Sequence, residues 1–195
     1  AMNAIAASST AMNAILASST AMNAILASST AMNAIAASST AMNAIAASST
    51  AMNAILASST AMNAITKADT ALKAVCSNTS AANTMSSVIQ NYRSNIVNAL
   101  NTSSLFNKTN TTVGSGKGTY TQGLDNNNIY IPTSCNDDGD TDFTVYWQNS
   151  DTTIATIARH SGTITVTTGI SLRGVKVVGS GSSVGYVGFD VYTVK

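Results

Sequence analysis

Apolar and polar positions along the first seventy residues recur with a period of ten, as Ala-Met-Asn-Ala-Ile-(Ala/Leu)-Ala-Ser-Ser-Thr written seven times over. Met2, Met12, Met22, Met32, Met42, Met52 and Met62 mark the register. The sixth position alternates between Ala6, Ala36, Ala46 and Leu16, Leu26, Leu56, and Thr66 begins the decay of the pattern. Units this short cannot enclose a core, so each must stack on a neighbour. Ala favours helix, and Met and Ile three residues apart share one helical face. Ten residues at ~100° each fall ~80° short of three turns, about four times the ~20° drift of a heptad. A continuous helix would therefore supercoil tightly to the left. The repeats contain no aromatic residue, and on that count a lone chain lacks the apolar area to offset its conformational entropy. The expectation is an elongated stalk over 1–70, an α-helical trimeric coiled coil. The alternative is an interchain β-shaft or solenoid with Ser-Ser-Thr as the turn.

Past Thr70 the pattern becomes less regular. Met85, Ile89, Tyr92, Ile96 and Leu100 are spaced four, three, four and four, close to the a/d seam of a coiled coil. Residues 101–117 are rich in Asn, Ser, Thr and Gly and read as turns and linker, so 71–112 is expected to be a helical neck and linker. Farther on the period falls to two. Asn128–Pro132, Phe143–Trp147, Thr153–Ile157, Gly162–Thr167, Gly174–Val178 and Gly185–Tyr192 are short, β-branched or aromatic runs separated by polar turns. They predict a head over 113–195, an antiparallel β-sandwich or small barrel. The whole is an α + β chain.

Charge narrows the partners. Nine basic and eight acidic residues nearly cancel, and no basic stripe is present that would neutralise a phosphate backbone, so nucleic acid is not expected. The repeats are uncharged up to Thr66, yet Asn, Ser and Thr interrupt every ten residues, which argues against insertion in a membrane. Cys76 and Cys135 lie far apart with no Cys or His at metal-ligand spacing, and both are expected to be reduced, as in a bacterial cytoplasm.

Little in the sequence points to catalysis, and the chain is not expected to be an enzyme. His160 is the single histidine, with no activated nucleophile or orienting acid specified nearby in sequence, and reads as a turn residue. Lys117 in Gly-Ser-Gly-Lys-Gly lacks the spacing and the following Ser or Thr of a phosphate loop. The densest chemistry is Cys135-Asn-Asp-Asp-Gly-Asp-Thr-Asp142, where Asn136, Asp138, Asp140 and Asp142 alternate around a glycine as oxygen ligands for calcium would. Calcium is the one candidate cofactor. Tyr130, Tyr146, Trp147 and Tyr186 are candidates for stacking on a sugar ring or docking a receptor, because rings with a polar edge suit such surfaces.

The layout of a low-complexity Ala/Ser/Thr/Asn stalk, a short neck and a compact C-terminal β head resembles the fibre proteins of tailed bacteriophages. The phrase Ser-Ser-Thr-Ala-Met-Asn-Ala is similar to repeats of phage and prophage tail-associated proteins. The resemblance covers the layout of the whole chain and rests on repeat style. It implies a homotrimer that is assembled in the bacterial cytoplasm, joins other tail or baseplate proteins of the virion, and meets a glycan or protein receptor on the host surface. A bacterial surface adhesin or appendage subunit shares the same logic and is the alternative.

Overall fold

The computed structural model describes every residue except 87, 115–119, 125–127, 148–151 and 182–183, and the side chains of 120–124 are left aside. The phosphate-loop-like stretch around Lys117 lies outside the described residues. The chain divides into two compact units, Ala1–Leu105 and Phe106–Lys195, the one helical and the other built of strands.

In the first unit each decapeptide folds as one short helix and a turn. The helices are α1 (Met2–Ala6), α2 (Ser9–Leu16), α3 (Ser19–Leu26), α4 (Ser29–Ala36), α5 (Ser39–Ala46), α6 (Ser49–Leu56) and α7 (Ser59–Thr66). Two irregular units continue the series as α8 (Asp69–Cys76) and α9 (Thr79–Met85). The serine at the eighth position of the repeat sets the length. Ser18 is extended, at φ −114° and ψ 107°, which ends one helix, and its Oγ accepts from the N–H of Ala21, which starts the next. Ser8, Ser28, Ser38, Ser48 and Ser58 do the same. The following serine is the first helical residue and is exposed.

Each helix packs against the third helix after it: α1 on α4, α2 on α5, α3 on α6, α4 on α7, α5 on α8 and α6 on α9. Three helices therefore complete one turn of a solenoid, and thirty residues return the chain to the same side. Met32, Ile35, Met42, Ile45, Met52 and Ile55 point to its axis and are at most 1% exposed. Ala at the first position, as in Ala41 and Ala61, is equally covered and lets successive turns approach closely. The turns are also joined by hydrogen bonds: the Ser38 hydroxyl donates to the carbonyl of Ala6 at 2.7 Å, and that of Ser58 to Leu26 at 3.1 Å.

The expected elongated coiled-coil stalk is thus corrected to a single-chain coil of short, packed helices. The reason is the extended residue at the eighth position, a serine in the first six repeats and Ala68 in the seventh. It discharges the ~80° mismatch at each turn, so no long helix forms and none needs to supercoil. A seventy-residue helix would span ~105 Å, whereas a little over two turns stacked at ~10 Å span roughly a quarter of that. Within the single chain the Met and Ile of successive turns already bury one another.

The expected neck folds back on this coil. A 3-10 turn at Ile89–Tyr92 leads into α10 (Arg93–Asn101), which packs on α7 and α8. Met85, Ile89, Ile96 and Leu100 are at most 3% exposed, so the apparent a/d seam is the inner face of a cap. No helix among the described residues is long and apolar enough to cross a membrane.

Among its described residues the second unit has eight strands: β1 (Phe106–Val113), β2 (Tyr120–Leu124), β3 (Ile129–Asp138), β4 (Thr141–Trp147), β5 (Thr153–Ile157), β6 (Ser161–Thr165), β7 (Val175–Gly181) and β8 (Gly185–Val194). They form two antiparallel four-stranded sheets, ordered β1-β8-β3-β6 and β2-β7-β4-β5. This is the double Greek key of a jelly roll, one form of the expected sandwich. Tyr130, Cys135, Val187, Phe189 and Val191 of one sheet meet Phe143, Val145, Trp147, Ile154 and Val177 of the other in the core. Strand β1 falls where turn and linker are expected. Its Asn- and Thr-rich run is buried only at Phe106 and Val113, and eight consecutive pairs with β8 hold it as a sheet edge.

Two adjacent serines separate capping from composition. Ser38→Ala removes a helix cap and a bond between turns, and should lower the urea stability of the coil by about 1–2 kcal/mol. Ser39→Ala, at an exposed site with no capping role, should stay within about 0.5 kcal/mol. Equal losses would contradict the capped-repeat account.

Candidate functional site

The most polar end of the head lies where β3 turns into β4 through Asp138, Gly139 and Asp140. Gly139, at φ +113°, takes a conformation that L side chains rarely adopt and so permits the tight turn. Arg159, between β5 and β6, crosses to the acids. Its guanidinium pairs with Asp140 at 3.4 Å and Asp142 at 3.3 Å, and its backbone N–H donates to Asp142 at 2.8 Å. All three side chains are substantially exposed, so the pairs contribute little stability.

The four expected calcium ligands do not converge. Asn136 lies on the outer face of the β1-β8-β3-β6 sheet, its amide donating to Thr163 Oγ1 at 2.8 Å. Asp142 lies on the outer face of the other sheet with Arg159, and Asp140 turns to the same arginine. Asp138 is exposed at the end of its strand. An alternating sequence puts ligands together in a loop, but here it runs along one strand and into the next, on opposite sides of a sandwich. No group of three His, Cys, Asp or Glu able to hold a metal is present among the described residues.

The acid that sequence reading passed over is Asp137. Strand alternation turns it inward beside Cys135, fully buried, where its Oδ2 accepts from the N–H of Thr141 at 3.1 Å and of His160 at 3.2 Å. Burial pushes its carboxyl up, but the N–H groups of Thr141, His160 and Gly139, with the His160 ring nearby, outweigh that and hold it below the usual carboxylate value. Asp137 thereby ties the β3–β4 turn to the segment before β6.

Cys135, Asp137 and His160 bring three chemically active residue types together, but not as an activated nucleophile. The ring nitrogens of His160 face the carbonyls of Ala158 at 3.0 Å and Cys135 at 3.3 Å. The Cys135 thiol sits in the core, where burial and the charge of Asp137 push it up to about 12. A thiol so held is not a nucleophile at neutral pH. Cys76 is likewise buried.

The four aromatic candidates separate in the same way. Tyr130, at 2% exposure, is a core residue in edge contact with Phe189, their ring centroids 6.1 Å apart. Trp147 also belongs to the core cluster. Both are corrected from surface to interior, because each takes the inward position of its strand. Tyr146 and Tyr186 do face out, but from different sheets. Tyr146 is half-buried beneath Lys176, whose Nζ stands 4.7 Å from the ring centroid. Tyr186 is open, and pairs in register with Asn136, which pairs in turn with Thr163. This row of phenol ring, amide and hydroxyl across β8, β3 and β6 is the candidate binding surface.

The coil presents a different surface. Asn3, Ala7, Ala34, Ser38 and Thr40 line a shallow groove, and Asn23, Ala27, Ala54, Ser58 and Thr60, twenty residues further on, line another of the same make. Neither contains a charge. No protein-family model matches the chain, and no curated protein matches it.

Asp137 yields a pH test. Because its carboxyl is held below the ordinary 3.8, folding favours the ionised form. The stability it contributes is complete above that value and is lost as pH falls through the lower folded value. Asp137→Ala should cost the head about 2 kcal/mol at pH 7. In urea titrations that gap should narrow below pH 3.8. A gap unchanged with pH would refute the role of the charge.

Proposed function

We propose that this chain is a structural component of a phage tail fibre, in which the decapeptide coil is a neutral spacer and the jelly roll attaches the particle to a receptor on the host cell. The observation that carries the proposal is the surface of the repeats. Through Thr66 they expose Asn, Ala, Ser and Thr and no charged side chain, so the coil carries a head without competing for its ligand. The head supplies the contrast, with Tyr186, Asn136 and Thr163 side by side on an outer face. An aromatic ring beside an amide and a hydroxyl suits a sugar ring, which offers C–H bonds to the one and hydroxyls to the others. The role is attachment, not catalysis. It places the protein in the virion, beside other tail or baseplate proteins, after assembly in the bacterial cytoplasm. A fold alone does not imply a function, so the proposal stands on these surfaces.

The test is binding of the labelled full chain to susceptible bacteria and to the same bacteria stripped of surface polysaccharide. Saturable binding that competes with phage adsorption is expected, weakened about tenfold or more by Tyr186→Ala, a loss of roughly 1.4 kcal/mol. Equal binding to intact and stripped cells, unaffected by the phage, would reject the proposal. Display of the protein on the bacterium that makes it would assign it to the adhesins instead.

A further inference from the structure

Three large apolar side chains are exposed among the described residues: Ile164 at 40%, Val184 at 41% and Tyr186 at 36%. All three gather at one end of one sheet. Ile164 is opposite Cys135, Tyr186 is opposite Asn136, and Val184 precedes Gly185, which is opposite Asp137. At that end lies β6, the outermost strand of its sheet, with every residue from Ser161 to Thr165 exposed. Sheet edges are ordinarily shielded from other chains by charge, proline or a covering segment. The opposite edge, β1, carries Lys108, ion-paired to Asp190 at 2.6 Å. Ser-Gly-Thr-Ile-Thr has neither charge nor proline.

We propose that β6 is the interface between two copies of this chain, joined antiparallel about a two-fold axis through Thr163 so that two four-stranded sheets become one of eight. The strand is self-complementary in that register. Ser161 lies opposite Thr165, Thr163 opposite its own counterpart, and Gly162 opposite Ile164. A side chain at Gly162 would meet nothing within 4 Å, so the space above it is open to the exposed Ile164 of the other copy. No like charges meet. A foreign strand could use the same backbone groups, but the reciprocal fit of Ile164 over Gly162 favours a second copy. The pairing does not depend on the attachment role. It sets two Tyr186–Asn136–Thr163 rows on one continuous face, and two weak sites on one body bind a repeated ligand more tightly than either alone.

Sedimentation of the full chain tests the interface, which is small enough that micromolar self-association is expected. The wild type should be dimeric at about 100 μM, and Ile164→Lys should be monomeric with an unchanged far-ultraviolet spectrum. Opposed residues of an antiparallel pair have Cα atoms about 4.5–5.5 Å apart, inside the ~4.4–6.8 Å span of a disulfide. Mild oxidation of Thr163→Cys should therefore give a covalent dimer, while Thr109→Cys on β1 should not, and Cys76 and Cys135 are too buried to interfere. A monomeric wild type, a dimer that survives Ile164→Lys, or equal cross-linking from both edges would each overturn the proposal.

Discussion

The repeat helices α2 to α7 depend on one hydrogen bond, from the third N–H of each to the serine Oγ before it, at 3.2 Å in Ser8, Ser18 and Ser28 and 3.3 Å in Ser38. An eight-residue helix is marginal by itself in water, since several dihedral angles are fixed before hydrogen bonds repay them. The serine lowers that cost at one end. Its backbone, extended where its neighbours are helical, turns the chain toward the next side of the coil. The same residue uses its hydroxyl proton to reach the turn before, as Ser38 and Ser58 do. One side chain thus sets helix length, direction and the joining of turns.

Once direction is set, little apolar mass is needed. The expectation of partner chains rested on the scarcity of large side chains; within the single chain, three helices per turn already aim their Met and Ile at a common axis. Each of these side chains, moved from water to the interior, contributes about 1.5–3 kcal/mol. Alanine supplies the rest by what it lacks, since a methyl group at Ala31, Ala41 and Ala51 lets turns sit close enough to keep water out. A coiled coil obtains the same burial from other chains; here each turn obtains it from the turn thirty residues away.

What was legible in the sequence was what local chemistry decides. Helix in the repeats follows from Ala and from Met–Ile spacing, and six of the eight strands follow from alternation. The turn at Ala7–Ser8 was hidden because Ala-Ser continues a helix as readily as it ends one, and only the stacked neighbours favour the break. Strand β1 was hidden because Asn107, Lys108, Thr109 and Asn110 carry no apolar alternation, so pairing with β8 alone makes them a strand. At the candidate site, Asp138, Asp140 and Asp142 draw the eye through their spacing, whereas Asp137 matters more to the fold because strand parity turns it inward. Parity could have found it, since Cys135, two residues earlier, is apolar and shares its side. The inward turn of Tyr130 and Trp147 is the same kind of fact.

The departures from the repeat then acquire a physical meaning. Leu or Ala at the sixth position gives way to Thr66, fully buried, whose hydroxyl donates to Met62 at 2.6 Å and accepts from Asn95 Nδ2 at 3.1 Å. Asn95 also donates to Asn63 at 3.2 Å. The serine expected at 69 is Asp69, which accepts from Ser103 at 2.7 Å. These are contacts to α10 and the residues just after it, so the decay of the pattern is where the coil receives its cap. Identical repeats bind one another without distinguishing which is next, and a solenoid made only of them has no reason to stop. Changing one apolar position to a hydroxyl, and one serine to a carboxylate, makes the last turn prefer a different partner. Where this coil gives way to its cap is therefore fixed by a few polar substitutions, while the repeat itself fixes only shape.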